Sequence, residues 1–369
     1  MADDATTIPP WSDLLADPDD ERLASLTTRL AALDGPADEK GGWPQALWDA
    51  LVENRVPLWS IPKELGGEGC DRLALLQRYA RVAEGSLTAA FILSQHDAGV
   101  RRLAAASERA EARRWLSRIA EGTAFTTVGI SHLTTSRRLG SQPMTAVEVD
   151  DGYQLDGAMP WVTAAVKADV IVTGAPLPDG RQILVAVPTD RPGLVVRPPF
   201  RLAALEASCT GEVGCEDVHV ADSDLLAGPV IDVMSQPGAA GTGGLETTAL
   251  ALGQARAALA ALAVESPSRN DLAEPVEALA DAWHKSWVAL VAAAQGLPGA
   301  PTPGQVRSQA NSLVLRATQA FLTTRKGSGF LRTEPAQRWA RQALFFLVWS
   351  CPTPVASATI RDLAGLCSP

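Results

Sequence analysis

The spacing of apolar positions changes period twice along this chain. From about residue 20 to 119 they recur at helical intervals: Leu23, Leu26, Leu30 and Leu33 form one stripe, and Leu47, Trp48, Leu51 and Val52 another. The segments DRLALLQRYARVAEG and SERAEARRWLSRIAEG repeat the pattern, so this region reads mainly as helix. Between its helices lies IPKELGGEG, from Ile61 to Gly69, where three glycines and a proline in nine residues predict a loop.

Near Thr123 the character changes. From there to about Gly228 valine, threonine, glycine and proline dominate. YQLDGAMPWVTAA, ADVIVTGA, RQILVAVPTD and GLVVRPPF read as short strands divided by turn residues. VEVDDGYQL predicts a hairpin with Asp151-Gly152 at its turn.

Helical spacing returns from about Gly243. LETTALALGQARAALAAL is almost entirely helix former, and its alanines permit close helix packing. A second helix surrounds EALADAWHKSWVALVAAAQG, and LPGAPTPGQ breaks the pattern. A third is expected from about Val306 to Lys326-Gly327. A fourth covers PAQRWARQALFFLVW and stops at Ser350-Cys351-Pro352. Helices, then strands, then helices predict a segregated α+β multidomain chain, divided as 1–122, 123–228 and 229–369. No GxGxxG follows a strand, which argues against a Rossmann site. The helix from Leu245 to Leu262 is apolar around most of its circumference, and this predicts at least a dimer.

Composition narrows the function classes. The chain has 369 residues, 46% hydrophobic and 20% charged, which suits two or three globular domains. A net charge of −10 argues against nucleic acid, whose phosphates need a basic face. It leaves room for an anionic cofactor held by a few local arginines. Five cysteines (Cys70, Cys209, Cys215, Cys351, Cys367) form no CxxC pair and are expected to be reduced, buried thiols. Four histidines show no HxH or HExxH spacing, so no metal is expected. The acidic N-terminus lacks the pattern of a signal peptide, and no apolar run is read as a membrane span. The expectation is a soluble, cytoplasmic protein without membrane partners.

Five segments in this order resemble the acyl-CoA dehydrogenase family. IPKELGGEG is similar to that family's Pro-Glu-x-Gly-Gly-x-Gly loop. GYQLDGAMPWVTAAVKADVIV resembles its β-domain segment GYxLNGxKxWITNAxxAD, and SCTGEVGCEDVHVADSDLLAG the exit from that domain. LALGQARAAL resembles the start of its C-terminal bundle, and KGSGFLRTEPAQRWARQA its last helices. The resemblance implies an acyl-CoA dehydrogenase-like fold: an N-terminal α-helical domain, a middle β-domain and a C-terminal four-helix bundle. It also implies a flavoprotein oxidoreductase that binds FAD, acts on acyl-CoA or another acyl thioester, passes electrons to an electron-transfer flavoprotein, and assembles as a homodimer or homotetramer.

The same resemblance places candidate residues. Trp161 and Thr163 match the flavin wall; a flat apolar ring with polar edges needs an aromatic face and a hydroxyl at its rim. The competing reading makes Trp161 a core tryptophan and Thr163 an ordinary strand residue. AFTTVGISHLTTSRRLGS stands where the family has TEPxxGSD, without the Thr-Glu-Pro. Thr127, Ser131, Thr134 and Thr135 remain as cofactor-binding hydroxyls, with Gly140 and Ser141 as a remnant of Gly-Ser. Arg137 and Arg138, with Ser141, are candidates for holding a phosphate of flavin or substrate; two adjacent arginines also suit a solvated corner. Arg269 in SPSRNDL matches the family arginine that reaches the flavin pyrophosphate across a subunit interface, although the Gln-Phe-Gly after it is missing.

The family's usual base is a glutamate in YEGT. Aligning Arg341-Gln342-Ala343 with Arg-Asp-Ala puts Ser350-Cys351-Pro352 on Glu-Gly-Thr, and a serine without a partner base cannot remove an α-proton. Cys351 would serve only as a thiolate and is otherwise a structural thiol. Some relatives carry the base on the first bundle helix; Glu246 lies about one turn beyond that place. The bland reading of Glu246 is a first-turn carboxylate favoured by the helix dipole. The leading function is therefore α,β-desaturation of an acyl thioester. The alternatives are a flavin monooxygenase on the same fold, with His132 as candidate acid, and a flavin-free binding subunit.

Overall fold

A computed structural model describes residues 20–134, 144–236, 244–349 and 351–366. The described residues open with five α-helices: α1 (Asp20–Lys40), α2 (Gln45–Glu53), α3 (Arg72–Gly85), α4 (Leu87–Ala105) and α5 (Ala110–Ala120). Caps fix the entries to α3 and α4. Asp71 accepts from the Ala74 amide at 2.9 Å, and Ser86 from the Ala89 amide at 3.1 Å, satisfying amides that a helix start leaves open. The Ile61–Gly69 segment contains a short 3-10 turn, Lys63–Leu65, inside the expected loop.

Eight strands and one short helix follow: β1 (Thr126–Gly129), α6 (Ser131–Thr134), β2 (Thr145–Val149), β3 (Gly152–Val162), β4 (Val170–Pro176), β5 (Gln182–Pro188), β6 (Leu194–Val196), β7 (Gly211–Ala221) and β8 (Leu225–Val230). They form two four-stranded sheets, β1-β4-β5-β8 and β2-β3-β7-β6. The β1–β4 pair is parallel and the other ladders are antiparallel. A shared apolar core includes Leu155, Met159 and Val213 of one sheet and Ile171, Ile183 and Val185 of the other. The β2–β3 hairpin closes on the Val149–Gly152 pair, so its two loop residues are Asp150 and Asp151. The turn thus falls one residue earlier than expected: Gly152 is the first paired residue of β3, at φ 153°, where a side chain would meet the Val220 carbonyl.

The C-terminal region contains α7 (Leu245–Glu265), α8 (Ala273–Gln295), α9 (Pro303–Arg325), α10 (Pro335–Ala343) and α11 (Thr353–Leu363). The fourth expected helix is shorter than the sequence suggested. Regular α-helix ends at Ala343, residues Leu344–Leu347 tighten into a 3-10 turn, and α11 follows as an unanticipated element. Pro352 and Pro354 stand at the start of α11, where a helix leaves its first amides without intrahelical partners and a proline costs little.

Helix α7 bears on two expectations. By length and composition it is apolar enough to cross a membrane, but 78% of its apolar window is buried inside the chain. Its apolar circumference is covered by α3, α8 and α9 rather than by a second subunit, so that circumference is no argument for an oligomer. Gly253 lets α3 approach: a Cβ there would stand 2.2 Å from the Ala80 carbonyl oxygen.

Buried ion pairs tie the first helices to the last. Arg338 Nε donates to Asp34 at 2.8 Å, Ser86 Oγ donates to the same carboxylate at 2.6 Å, and Arg256 reaches Glu84 at 2.6 Å. Burial raises the Asp34 pKa, opposed by the Arg338 charge and these hydrogen bonds.

Candidate active site

The β3 end and the turn before β7 build the first half of the site. Trp161 is 38% exposed, which excludes the core-tryptophan reading; its ring meets Phe200 edge-on at 4.9 Å between centroids. Two residues on, Thr163 is buried, and its Oγ1 lies 3.0 Å from Thr210 Oγ1. Thr210 Oγ1 in turn lies 2.8 Å from Ser208 Oγ. Three hydroxyls joined by two hydrogen bonds leave one hydrogen free. If Ser208 donates to Thr210 and Thr210 to Thr163, Thr163 can donate onward. The backbone is held tightly here. Ala164 (φ 56°), Leu205 (φ 59°) and Cys209 (φ 49°) all adopt left-handed conformations, and the Ala164 amide donates to the Ser208 carbonyl at 3.0 Å. Such conformations in residues with a Cβ persist where the surroundings over-determine them.

Thr127 belongs to this neighbourhood, but its hydroxyl is committed. It donates to the Thr163 carbonyl at 2.8 Å, so Thr127 positions the Thr163 backbone. Ser131 begins α6, and Thr134 ends it. Thr135, Arg137, Arg138, Gly140, Ser141 and Ser350 lie outside the described residues, as does the Thr134 side chain. His132 Nε2 donates to the Gly174 carbonyl at 2.7 Å, and burial lowers its pKa. A neutral ring whose hydrogen is already given away does not fit the acid expected of it.

The second half is helical. Glu246 sits in the first turn of α7, with Oε1 4.0 Å from Arg101 Nη2 of α4. Arg101 also donates to the Tyr79 hydroxyl at 3.3 Å, and Tyr79 donates to Asp97 at 2.5 Å. The halves connect through α4 and β1. His96, next to Asp97, hydrogen-bonds the Thr126 carbonyl at 3.1 Å, and the adjacent Thr127 holds Thr163. Burial pushes the His96 pKa down to about 4 and the Asp97 pKa up to about 6.

The segment before Ser350 is fixed by a buried arginine. Arg307 Nη2 donates to the Trp349 carbonyl at 3.0 Å and its Nε to Asn311 at 2.8 Å; Asn311 donates to the Phe346 carbonyl at 3.0 Å. Burial pushes the Arg307 pKa down to about 10. Phe345 stacks on Trp349 at 5.1 Å, and Phe91 of α4 meets both edge-on. Cys351 is half-buried rather than buried, as is Cys70, and burial raises the Cys351 pKa against the Arg307 charge. A raised pKa disfavours the thiolate that proton removal would need.

Arg269 does not join either half. It follows α7, at the end opposite Glu246, and 19 residues of helical rise separate the two ends by roughly 30 Å. Its guanidinium grips Asp271 through bonds of 2.8 and 2.7 Å.

Sequence reasoning did not single out Tyr79, Asp97, Arg101, Phe200, Ser208 and Thr210 as candidate site residues. Asp97 and Arg101 carried a signal, because opposite charges four apart share a helix face. Ser208 and Thr210 stood in a recognised motif, but their pairing with Thr163 depends on the β3–β7 register.

The fold matches that of a known class. The family model for the acyl-CoA dehydrogenase N-terminal domain matches residues 24–123. A probable acyl-CoA dehydrogenase of Bacillus subtilis is 26% identical over 245 residues, which are 65% of this chain and 64% of the relative. Butyryl-CoA dehydrogenase from Megasphaera elsdenii superposes with a TM-score of 0.76 at 20% identity, over 95% of this chain and 99% of that one. Dibenzothiophene monooxygenase from Paenibacillus gives 0.73 at 20% identity, over 95% and 98%. In sequence and in fold the chain is similar to acyl-CoA dehydrogenases.

Proposed function

We propose that this protein is a flavin-dependent oxidoreductase that desaturates an acyl thioester, with FAD as cofactor and Glu246 as base. The observation that carries the reading is the exposed Trp161 beside the buried Thr163–Thr210–Ser208 hydroxyl chain. This pairs an apolar aromatic face with a polar rim, as a flavin ring requires. A large aromatic left exposed on a strand whose neighbours are buried fits a ligand-facing wall better than a packing role.

In this reading Trp161 and Phe200 supply the apolar wall, and Thr163 supplies a hydrogen bond at its rim. Glu246 takes the α-proton onto its carboxylate as the electrons of that C–H bond form the new α,β double bond. FAD, when bound, would supply the two-electron acceptor for the β-hydride. Arg137, Arg138 and Ser141 are the proposed phosphate contacts, and an acyl-CoA is the proposed substrate. The class of electron acceptor that suits the reduced flavin is an electron-transfer flavoprotein.

The second reading, a flavin monooxygenase, is favoured by Ser350 standing where the family's usual glutamate is expected. Anaerobic addition of acyl-CoA thioesters to the flavin-loaded protein separates the two. Loss of the flavin's visible absorbance without oxygen supports desaturation. No loss with any straight-chain, branched or aryl acyl-CoA, together with oxygen consumption when reduced flavin is supplied, overturns it in favour of the monooxygenase.

A further inference from the structure

Helices α3, α4 and α7 enclose a polar cluster in an otherwise apolar region. Asp97 and Tyr79 are fully buried. Asp97 receives hydrogen bonds from Tyr79 at 2.5 Å and from Ser60 at 2.8 Å. Having given its hydrogen to Asp97, the Tyr79 oxygen accepts from Arg101 at 3.3 Å. The order of donors is therefore fixed from Arg101 through Tyr79 to the carboxylate. Arg101 Nε makes no hydrogen bond among the described residues, so its placement rests on Tyr79 and on the charge of Glu246.

The far end of this chain differs from the buried end. The Arg101 and Glu246 side chains are 27% and 29% exposed, and they face each other at 4.0 Å, within ion-pair range but beyond hydrogen-bond length. A carboxylate held this way is oriented by charge while its oxygen lone pairs stay open to another proton. The buried pair of Arg338 and Asp34, by contrast, closes to hydrogen-bond distance at 2.8 Å.

We infer that Arg101 is a positioning residue that orients the Glu246 carboxylate for proton removal, and that Tyr79 and Asp97 form the buried anchor that holds Arg101. The inference rests on the desaturase reading with Glu246 as base. It extends that reading to three residues that never touch the reacting carbon. Arg101→Gln keeps a planar polar group but removes the charge that aims Glu246. Arg101→Lys restores the charge without the fork that binds Tyr79. Tyr79→Phe keeps the ring and removes only the link between Asp97 and Arg101.

The test is the rate of anaerobic flavin bleaching in the flavin-loaded protein. It uses the member of a panel of straight-chain, branched and aryl acyl-CoAs that bleaches the parent fastest. Glu246→Gln should slow bleaching on the order of a hundredfold. Arg101→Gln and Tyr79→Phe should each slow it roughly 10- to 100-fold, the scale of a misplaced catalytic group. Flavin content and the half-saturating acyl-CoA concentration should stay at parent values, and Arg101→Lys should recover part of the rate. A merely structural cluster would instead lower flavin content or melting temperature and leave the saturated rate alone. If Glu246→Gln is slow while Tyr79→Phe and Arg101→Gln match the parent, the positioning role is overturned and the base stands. If Glu246→Gln matches the parent, or no panel member bleaches the parent, the base reading falls and the positioning role with it. Should Arg101→Gln fail to fold, the saturated rate of Tyr79→Phe decides.

Discussion

Thr163 and Thr210 hold their hydroxyls 3.0 Å apart at the point where β3 leaves its ladder with β7. Thr127, one strand away, holds the Thr163 carbonyl instead. Thr163 and Thr127 should therefore respond differently to loss of a hydroxyl. Thr163→Val should weaken flavin binding by about 1 kcal/mol, roughly fivefold in Kd, with little change in melting temperature. Thr127→Val should leave a buried carbonyl unpaired and cost about 1–3 kcal/mol of stability. Flavin titration and thermal denaturation of both variants check the pair; equal losses of both kinds would remove the distinction.

Asp97 and His96, adjacent on α4, give stability opposite dependences on pH. Burial raises Asp97 to about 6 from its ordinary 3.8, so the folded state favours its neutral form. Its destabilising effect is complete above about pH 6 and disappears as pH falls toward 4. Burial lowers His96 to about 4 from 6.5. Its stabilising effect is present above pH 6.5 and is lost as pH falls through that range, where the unfolded chain takes the proton first. Each contribution is on the order of 3 kcal/mol, so in the parent they largely offset between pH 4 and 6.5. Denaturant unfolding across this range should show Asp97→Asn gaining stability relative to the parent as pH rises. His96→Asn should gain relative to the parent as pH falls. Identical pH profiles for all three proteins would contradict the burial of both groups.

Asp34 is the carboxylate counterpart of the buried Arg338. Asp34→Ala leaves that guanidinium without its partner and should cost on the order of 3–5 kcal/mol. The double variant Asp34→Leu/Arg338→Met should cost less than Asp34→Ala alone, because no unpaired charge remains. A double variant less stable than the single one in denaturant melts would mean the pair contributes net attraction beyond its desolvation.

Gly253 sets how closely α3 and α7 pack. Gly253→Ala places a methyl 2.2 Å from the Ala80 carbonyl oxygen, and neither partner is a flexible side-chain end. It should lower stability by about 1–3 kcal/mol. A thermal melt unchanged from the parent would show that the two helices separate without cost.

Much of this fold was legible in the order of periodicities. The stripe through Leu23, Leu26 and Leu30 became α1, with all three buried, and the alternating segments became strands. What the sequence hid was mostly context. The apolar circumference of α7 reads equally as a subunit interface, a membrane span or an interior helix; only the packing of α3, α8 and α9 decides. The 335–349 pattern continued past Ala343 because apolar spacing does not distinguish α-helix from a 3-10 turn. For the proposed site, Trp161 and Thr163 were candidates through a motif. The Arg101–Tyr79–Asp97 chain was not, since α3, α4 and α7 meet only in the folded molecule.

The most direct measurement of the central claim is the visible absorption spectrum of the purified chain after incubation with FAD and removal of free cofactor. The expected result is a protein-bound flavin spectrum that Trp161→Ala weakens strongly while its melting temperature stays near the parent's. A colourless parent would contradict the flavin site. So would a Trp161→Ala variant that keeps its full flavin content while its melting temperature collapses.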